Sequence, residues 1–252
     1  ILPAPAYAGA GNIASEQQII PGMDLPDLRR RIDLWNDLIV NRLRDRARFP
    51  VNATIYRHGA IPIEGRPDAS LLEFALEGLE RYHASLGRFS FPDQQPLISQ
   101  SLPESPIVRR GTLPSLPVVD LPVRMNLMRF YSDLIGELCP PGEDGQTFGE
   151  AAYMDAEILL NLYQRVNVGR FVAQVKLEME PDLIGLVSQP DILRARLTNH
   201  EREQAVITRA RDAAARHFLN PDLFERVFRW VIDETIAIEV RYLQRMAEDG
   251  NA

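Results

Sequence analysis

The most informative segment of the chain reads Arg165-Val-Asn-Val-Gly169-Arg-Phe-Val172-Ala173-Gln-Val-Lys176. It lies in a proline-free run from about residue 147 to residue 180, where apolar residues recur at helical spacing. At about 100° per residue, Arg165 and Lys176 share a helix face, about 16 Å apart along the axis. That face carries small residues between them, namely Val168, Gly169, Val172 and Ala173. The pattern predicts a cradle for a compact ligand with two separated negative groups; two ordinary surface cations are the alternative.

The composition excludes two classes of partner. The 252 residues carry a net charge of -7, whereas a nucleic-acid-binding surface is typically basic. No apolar run approaches the roughly 20 residues needed to cross a bilayer. We therefore expect no nucleic-acid and no membrane partner. The single cysteine, Cys139, cannot form an internal disulfide and leaves the compartment open.

The N-terminal residues suggest export. Residues 1–23 are rich in Ala, Gly and Pro and are interpreted as a tail, and residues 24–252 as one domain. The first eight residues resemble the end of a secretory signal, with Ala6-Tyr7-Ala8 at the small-residue cleavage positions. Asn52-Ala53-Thr54 is a glycosylation sequon, which matters only in an exported chain. Together these features predict a secreted protein, with the cytoplasm as the alternative.

Helical periodicity covers most of the rest of the chain, and no alternating strand pattern occurs. The predicted helices span approximately Pro26–Ala47, Ala69–Leu86, Arg124–Leu138, 147–180, a short one from Pro181, one from Pro190, one ending near His217, and Pro221–Met246. The sequence Thr198-Asn-His-Glu201 predicts a capping box at the start of the helix that ends near His217. The predicted fold is therefore all-α, a single-domain multi-helix fold with a long central helix.

Residues 91–122 interrupt this helical pattern. They contain seven prolines, a density that regular helices and strands do not tolerate. We expect an extended crossover that packs on the helical body. A linker between two domains is the alternative, but the helix before it is too short to bury a core of its own.

Two further pairs of polar residues stand at helical spacing. Asn199 and Glu203 are four residues apart, as are Thr235 and Glu239, so each pair lies on one helix face. Taken singly, such pairs are usually solvated. Combined with Arg29 and the two cations of the central helix, they supply three cations, an amide, a hydroxyl and two carboxyls.

This ordered set of residues resembles that of the all-helical chorismate mutases, in particular their larger, fungal-type branch. The resemblance extends from Leu25 to Met246. It rests on Leu28-Arg29, Asp45-Arg-Ala-Arg-Phe49, Thr147-Phe-Gly149, residues 165–176, Thr198-Asn199 with Glu203, and Thr235 with Glu239-Val-Arg-Tyr242. It implies a homodimeric isomerase of the shikimate pathway, in aromatic amino acid biosynthesis. Such an enzyme rearranges chorismate to prephenate without a cofactor.

The resemblance also implies catalytic roles for four residues. Arg29 and Arg165 would grip the two carboxylates of chorismate, because a guanidinium binds a carboxylate through two parallel hydrogen bonds. Lys176 would stabilise the negative charge that develops on the ether oxygen as its C–O bond breaks. Glu239 would donate a second hydrogen bond to that oxygen, which requires its protonated form. We therefore expect activity to fall as pH rises.

Three more residues are implied to bind the substrate. Glu203 would accept a hydrogen bond from the ring hydroxyl of chorismate. Asn199 and Thr235 would orient the carboxylate side of the pocket.

The resemblance extends to a vestigial effector site. Regulated relatives bind tyrosine or tryptophan between the subunits of a dimer, and the matching positions here are Gly87, Arg88, Gly149 and Glu150. Gly87 stands where the regulated pattern has an arginine, and Glu150 replaces a small hydroxyl residue. The connection at residues 218–222 is also shorter than in regulated members. We expect an enzyme insensitive to both amino acids, with an altered effector site as the alternative.

Several other functions remain open on the same residues. A related pericyclase or an isochorismate pyruvate-lyase would use the same fold. A secreted protein that binds a host partner through residues 91–122 is a further possibility. A di-iron bundle is rejected, because it needs two Glu-x-x-His motifs and the chain has only Glu80-Arg-Tyr-His83; we expect no metal.

Overall fold

The computed structural model of the chain describes residues 23–107, 113–119 and 123–250. Within these ranges the chain forms eight α-helices and no β-strand. The helices are α1 (Leu25–Arg46), α2 (Leu71–Ser85), α3 (Val123–Leu138), α4 (Phe148–Asn167), α5 (Gly169–Met179), α6 (Pro190–Leu197), α7 (His200–Arg216) and α8 (Pro221–Glu248). Short 3₁₀ turns occupy Ala53–Tyr56, Arg88–Ser90, Gly145–Thr147 and Pro181–Leu186. The predicted all-α fold is confirmed.

The long central element consists of two consecutive helices, α4 and α5. Val168 stands between them and keeps helical angles, with φ -60° and ψ -21°. Its carbonyl accepts hydrogen bonds from the backbone N–H of Phe171 at 3.0 Å and of Val172 at 3.2 Å. The chain is therefore locally tightened towards 3₁₀ geometry without leaving the helical path.

Close contact between α5 and α8 explains why a glycine follows Val168. A Cβ atom on Gly169 would lie 2.8 Å from the carbonyl oxygen of Thr235 and 3.3 Å from Cγ2 of Ile238. Only a residue without a side chain lets the two helices approach this closely. This contact fixes α8 against the segment that carries Arg165 and Lys176.

Side chains cap the starts of α1, α7 and α8, and one of these caps differs from the prediction. Asp24 accepts a hydrogen bond from the backbone N–H of Asp27 at 2.7 Å and caps α1. Asn220 caps α8 through the N–H of Asp222 at 3.0 Å. The capping box at residues 198–201 is wrong, because α7 is capped by the side chain of Asn199 and begins at His200.

Met23, the last residue of the predicted tail, and Asn52, the first residue of the sequon, are both buried. Met23, assigned to the tail, is only 7% exposed and packs with Leu28 and Ile32. Asn52 is 0% exposed; its amide donates to Oγ1 of Thr147 at 3.1 Å. A glycan cannot be accommodated on this buried side chain, so the sequon gives no support for export. Residues 1–22, which carry the signal-like sequence, lie outside the described residues.

The described parts of the proline-rich segment, residues 91–107 and 113–119, contain no helix or strand and lie on the helical body. The buried carboxylate of Glu80 accepts hydrogen bonds from the backbone N–H groups of Leu97, Ile98 and Ser99. Arg170, 1% exposed, donates to carbonyl oxygens of the segment at Leu116, Pro117 and Pro92. Because these are buried side chains bonded to backbone, the segment is firmly attached.

A buried ionic network joins α1 to α3 and α4 on the far side of the bundle. Nε of Arg46 lies 2.6 Å from Oδ1 of Asp155, and both side chains are fully buried. The hydroxyls of Tyr131 and Tyr56 donate to the two oxygens of the same carboxylate, each at 2.6 Å. Burial raises the pKa of Asp155, while the charge of Arg46 opposes this rise. The network is fully hydrogen-bonded, which a buried charge requires.

No helix of the described ranges is both long and apolar enough to span a membrane.

Candidate active site

One pocket opens between α1, α4, α5, α7 and α8. Its polar and charged lining residues are Arg29, Arg165, Lys176, Asn199, Arg202, Glu203, Thr235 and Glu239. Its apolar walls are Leu25, Leu28, Ile32, Val172, Leu197, Val206, Ile232 and Ile236. All seven catalytic and substrate-binding residues predicted from the sequence therefore lie around one hollow. Sequence reasoning did not identify the eighth polar residue, Arg202.

Arg165 is held through two of its three nitrogens. It is 4% exposed; its Nε donates to Oδ1 of Asn36 at 2.9 Å and its Nη1 to Oγ1 of Thr235 at 3.0 Å. Thr235 in turn donates to the carbonyl of Val231 at 2.6 Å. Among the described residues, Nη2 of Arg165 has no hydrogen-bond partner. Burial, with repulsion from Arg202, lowers the pKa of Arg165 to about 10, so the guanidinium stays protonated at neutral pH.

Lys176 is also fixed by its surroundings. Its Nζ donates to the carbonyl of Leu197 at 2.6 Å and to Oε2 of Glu239 at 2.7 Å. It is the only lysine among the 28 lysine and arginine residues of the sequence. An ammonium is a compact point charge, whereas a guanidinium spreads its charge over a planar fork. The position therefore suits stabilisation of charge on a single ligand atom.

Glu239 lies deep in the pocket and is 4% exposed. Burial raises the pKa of its carboxyl, and the charges of Lys176 and Arg165 oppose this rise. The neighbouring carboxylate of Glu203 raises the pKa further. The direction agrees with the predicted preference for the protonated form, in which Glu239 can donate a hydrogen bond.

Two more arginines lie at the rim of the pocket. Arg29 makes no hydrogen bond or ion pair with any residue that the structure describes. Nη2 of Arg202 lies 3.2 Å from Oδ1 of Asp33, with 30% of each side chain exposed. Arg202 lies in the first turn of α7, three residues after the capping residue Asn199. This spacing is the one feature of the sequence that could have placed Arg202 beside the pocket. Four cations against two carboxyls make the pocket attractive to a dianion.

The roles predicted for Asn199 and Thr235 differ from their observed contacts. Asn199 uses its side-chain oxygen to accept from the N–H of Arg202 at 2.9 Å, which leaves only its amide nitrogen for a ligand. Thr235 uses its hydroxyl on Arg165 and Val231. Both residues line the pocket, but their visible function is to position a helix end and a guanidinium.

The predicted small-residue floor is wrong for three of its four members. Only Val172 lines the pocket. Val168 packs in the cluster with Leu28 and Ile32, and Gly169 meets the backbone of α8. Ala173 is fully buried in the cluster between α5, α6 and α8. The small residues permit close helix packing, and larger apolar residues of α1, α7 and α8 form the walls.

The effector positions lie at two separate places in one chain. Gly87 and Arg88 follow the C-terminal end of α2, whereas Gly149 and Glu150 are exposed at the start of α4. The two helices pack with their N-terminal ends together, since Leu71 and Ala75 contact Ala151 and Ala152. The four predicted positions are therefore at opposite ends of the α2–α4 pair.

Arg88 is already engaged within its own chain. Its Nε donates to Oε1 of Gln94 at 2.5 Å, and its Nη1 lies 2.9 Å from Nδ1 of His83. Its guanidinium stands over the ring of Trp35, 5.3 Å from the centroid. Burial and the charge of Arg88 lower the pKa of His83 to about 4. Arg88 and His83 thus form a packed pair at the end of α2.

No metal-binding group is found in the part of the chain that the structure describes. It contains no group of three or more His, Cys, Asp and Glu side chains arranged to hold an ion. Glu80 of the single Glu-x-x-His motif is occupied by the backbone of residues 97–99.

Several chorismate mutases are similar to this chain in sequence or in fold. The family profile described as chorismate mutase type II matches residues 149–240, which include six of the seven predicted pocket residues. The chorismate mutase of Pichia angusta is 26% identical over 249 residues, covering 90% of this chain and 89% of that protein. That of Emericella nidulans is 27% identical over 249 residues, covering 88% and 92%. A crystal structure of a chorismate mutase from Candida albicans in complex with L-Trp has a TM-score of 0.81 at 24% identity. It covers 90% of this chain and 93% of that chain, so the two share a fold.

Proposed function

We infer that this chain, which is similar to the type II chorismate mutases of fungi and plants, rearranges chorismate to prephenate in the pocket described above. The observation that carries the mechanism is the convergence of Arg29, Arg165, Lys176 and Glu239 around one hollow. These residues come from four different helices. The pocket needs no cofactor for this reaction, because one C–O bond breaks and one C–C bond forms within a single molecule.

The arginines bind and fold the substrate. Arg165 donates from Nη2 and from the second N–H of Nη1 to one carboxylate, while Asn36 and Thr235 hold the guanidinium through Nε and Nη1. Arg29, unpaired among the described residues, binds the second carboxylate, and Arg202 adds positive charge at the same rim. Holding both carboxylates keeps the enolpyruvyl chain over the ring, a near-attack geometry that is unfavourable in water.

Lys176 and Glu239 act on the ether oxygen. Negative charge grows on this oxygen as the C–O bond breaks, so a cation fixed beside it stabilises the transition state more than the ground state. The carbonyl of Leu197 holds Lys176 in place at 2.6 Å. Protonated Glu239 donates the second hydrogen bond, and the burial that raises its pKa favours that form.

The proposed activity is tested by the loss of chorismate absorbance and the appearance of prephenate on adding purified protein. Arg165→Ala and Lys176→Ala should each abolish most of the rate, while Arg129→Ala, an exposed arginine on α3, should not. Isochorismate is supplied in a parallel reaction, and release of pyruvate from it would indicate a lyase instead. Absence of prephenate from the wild-type reaction would refute the proposal.

We further propose that the enzyme does not respond to tyrosine or tryptophan. Arg88 is bound to Gln94 and His83 of its own chain, and Glu150 adds a negative charge where an effector carboxylate would have to approach. The test is the initial rate with and without each amino acid at subsaturating chorismate. A clear change in rate with either one would contradict this part of the proposal.

A homodimer is also proposed, with α2 and the start of α4 as the interface. Large apolar side chains are exposed on this face, with Phe74 47%, Tyr82 61% and Tyr153 49% exposed. Burying them between two copies would remove apolar surface from water. Light scattering of the wild type and of Tyr82→Glu tests this: the wild type should be dimeric and the variant monomeric.

Secretion is also proposed, from the sequence alone, and assaying the culture medium for the protein tests it. A host protein partner is likewise a proposal from the sequence alone.

A further inference from the structure

A second groove lies between α1, α7 and α8, next to the active-site pocket. It is lined by Asn36, Asp37, Val40, Asn41, Val206, Arg209, Ala210, Ala213, Arg216, His217 and Phe228. It shares Val206 with the active-site pocket. None of the roles assigned above to the active-site residues uses this groove.

Asn36 connects the groove to the active site. The side chain is 4% exposed, and its amide oxygen accepts the hydrogen bond from Nε of Arg165 at 2.9 Å. Because Arg165 can only donate, the oxygen of the amide must face Arg165 and the nitrogen must point elsewhere. Asn36 lines the groove, and its amide nitrogen has no partner among the described residues. This nitrogen is not among the fully buried side-chain atoms that lack a partner, so it is accessible from the groove, where a ligand acceptor can take its hydrogen bond.

The charged rim of the groove favours an anion. Arg216 makes no ion pair or hydrogen bond with a described residue, and Arg209 reaches only Asp33, at 3.7 Å. Asp37 is the one carboxylate among the lining residues of the groove, and Asp33 beside Arg209 is shared with Arg202. The C-terminal end of α7 by itself would favour cations at positions 216 and 217. The helix end does not explain why the amide nitrogen of Asn36 lacks a partner among the described residues. It also does not explain the presence of Arg209, two turns earlier on α7.

The base of the groove is apolar. Val40, Val206, Ala210, Ala213 and Phe228 lie between the charged rim residues. Pockets for small ligands typically combine such an apolar lining with a few polar groups that fix orientation. The groove therefore offers contact for a hydrocarbon body as well as for a negative group.

We propose that this groove binds a small carboxylate that has an apolar body and, unlike an amino acid, no ammonium group, which the two arginines would repel. Its carboxylate accepts hydrogen bonds from Asn36 Nδ2, Arg209 and Arg216. The apolar body rests on Phe228 and the alanines of α7. Binding is coupled to the active site through Asn36, because an acceptor at Nδ2 polarises the amide and strengthens its hydrogen bond to Arg165. By linkage, chorismate and the carboxylate raise each other's affinity. Binding of the carboxylate to the groove does not rest on the proposed reaction, whereas its effect on the affinity for chorismate does.

The experiment uses phenylacetate as the probe, titrated calorimetrically into four full-length proteins. These are the wild type, Arg216→Ala in the groove, Arg29→Ala in the active-site pocket and the matched surface control Arg129→Ala. We expect one site in the wild type and affinity lowered about tenfold in Arg216→Ala, equivalent to about 1.4 kcal/mol. The Arg29→Ala and Arg129→Ala proteins should bind like the wild type.

The second readout is the KM for chorismate with and without phenylacetate. The probe should lower KM in the wild type and leave it unchanged in Arg216→Ala, whose basal activity should equal that of the wild type. The binding proposal is overturned if no heat of binding is detected, if Arg29→Ala alone loses binding, or if all four proteins bind equally. Binding that depends on Arg216 but leaves KM unchanged overturns the coupling. A wild type that binds the probe but does not turn over chorismate refutes the proposed reaction and leaves the groove intact.

Discussion

The ammonium group of Lys176 lies 2.7 Å from Oε2 of Glu239, inside the same pocket that holds Arg165. The charge of this pair depends on one proton. It carries a net positive charge when Glu239 is protonated and none when it is ionised. Only the first state offers both a cation and a hydrogen-bond donor to an oxygen that becomes negative. In the proposed mechanism, the protonation of this one carboxyl therefore controls how well the pocket matches the transition state.

The first prediction concerns pH. Burial raises the pKa of Glu239 above its ordinary value of about 4.3, so activity should be highest below this raised pKa and fall as pH rises through it. Glu239→Gln keeps a hydrogen-bond donor but cannot ionise, so its pH–rate profile should be flat over the same range. The measurement is kcat/KM for both proteins between about pH 4.5 and 9. An identical decline in the Gln variant would assign the titration to another group.

The second prediction concerns the support of Arg165. Thr235→Val removes the acceptor of Nη1 without changing the size of the side chain, which leaves a buried charged donor unsatisfied at a cost of about 1–3 kcal/mol. We expect kcat/KM to fall by about 10- to 100-fold, with the larger change in KM, because Arg165 binds substrate in the ground state too. Thr208→Val is the matched control, since this threonine is exposed on α7. Wild-type kinetics in Thr235→Val would show that the hydroxyl does not position Arg165.

The third prediction uses the helix contact at Gly169. Gly169→Ala would bring a methyl group within 2.8 Å of the carbonyl of Thr235, and overpacking of this kind costs about 1–3 kcal/mol. The variant should melt at lower temperature and lose activity, because α8 carries Thr235 and Glu239. Gly136→Ala in α3 meets no atom within 4 Å and should be stabilised by up to about 1 kcal/mol. Equal melting temperatures for the two variants would contradict the proposed close packing.

The fourth prediction separates stability from activity. Asp155→Asn leaves the guanidinium of Arg46 buried without its counter-ion, which typically costs about 3–5 kcal/mol. Unfolding in urea should show this loss, while kcat at a temperature where the variant is folded should be unchanged because Asp155 does not line the pocket. Asp212→Asn on the exposed face of α7 should change stability by no more than about 0.5 kcal/mol. An Asp155 variant as stable as the wild type would show that the ionic network contributes little.

Much of the fold follows from local pattern. Apolar spacing predicts α1 and α4, and proline density predicts the irregular segment after α2, whose described residues contain neither helix nor strand. Both signals act over a few residues. Thr198 was mistaken for the cap of α7, because Thr and Asn are adjacent and both are good caps. The break at Val168 has no local signal of its own, since it depends on how α5 meets α8.

The site was predicted through spacing and family resemblance, and both have clear limits. A spacing of four residues predicts that Thr235 and Glu239 share a face, but it cannot reveal that the hydroxyl of Thr235 contacts Arg165. Asn36 is a polar residue of α1 that the sequence does not distinguish from its exposed neighbours, yet it is buried and accepts a hydrogen bond from Arg165. The carbonyl of Leu197 supports Lys176, and a backbone group has no sequence signature. Such partners become visible only when the helices are assembled.

The central claim is that Lys176 stabilises charge on the breaking ether bond, and kcat of Lys176→Met tests it most directly. Methionine keeps an unbranched side chain and removes the charge, so we expect kcat to fall by about 100- to 1,000-fold or more, with KM nearly unchanged. The fold should be retained, because Glu239 can take up a proton once the charge that lowers its pKa is removed. A folded Lys176→Met protein whose kcat stays within about threefold of the wild type would contradict the account.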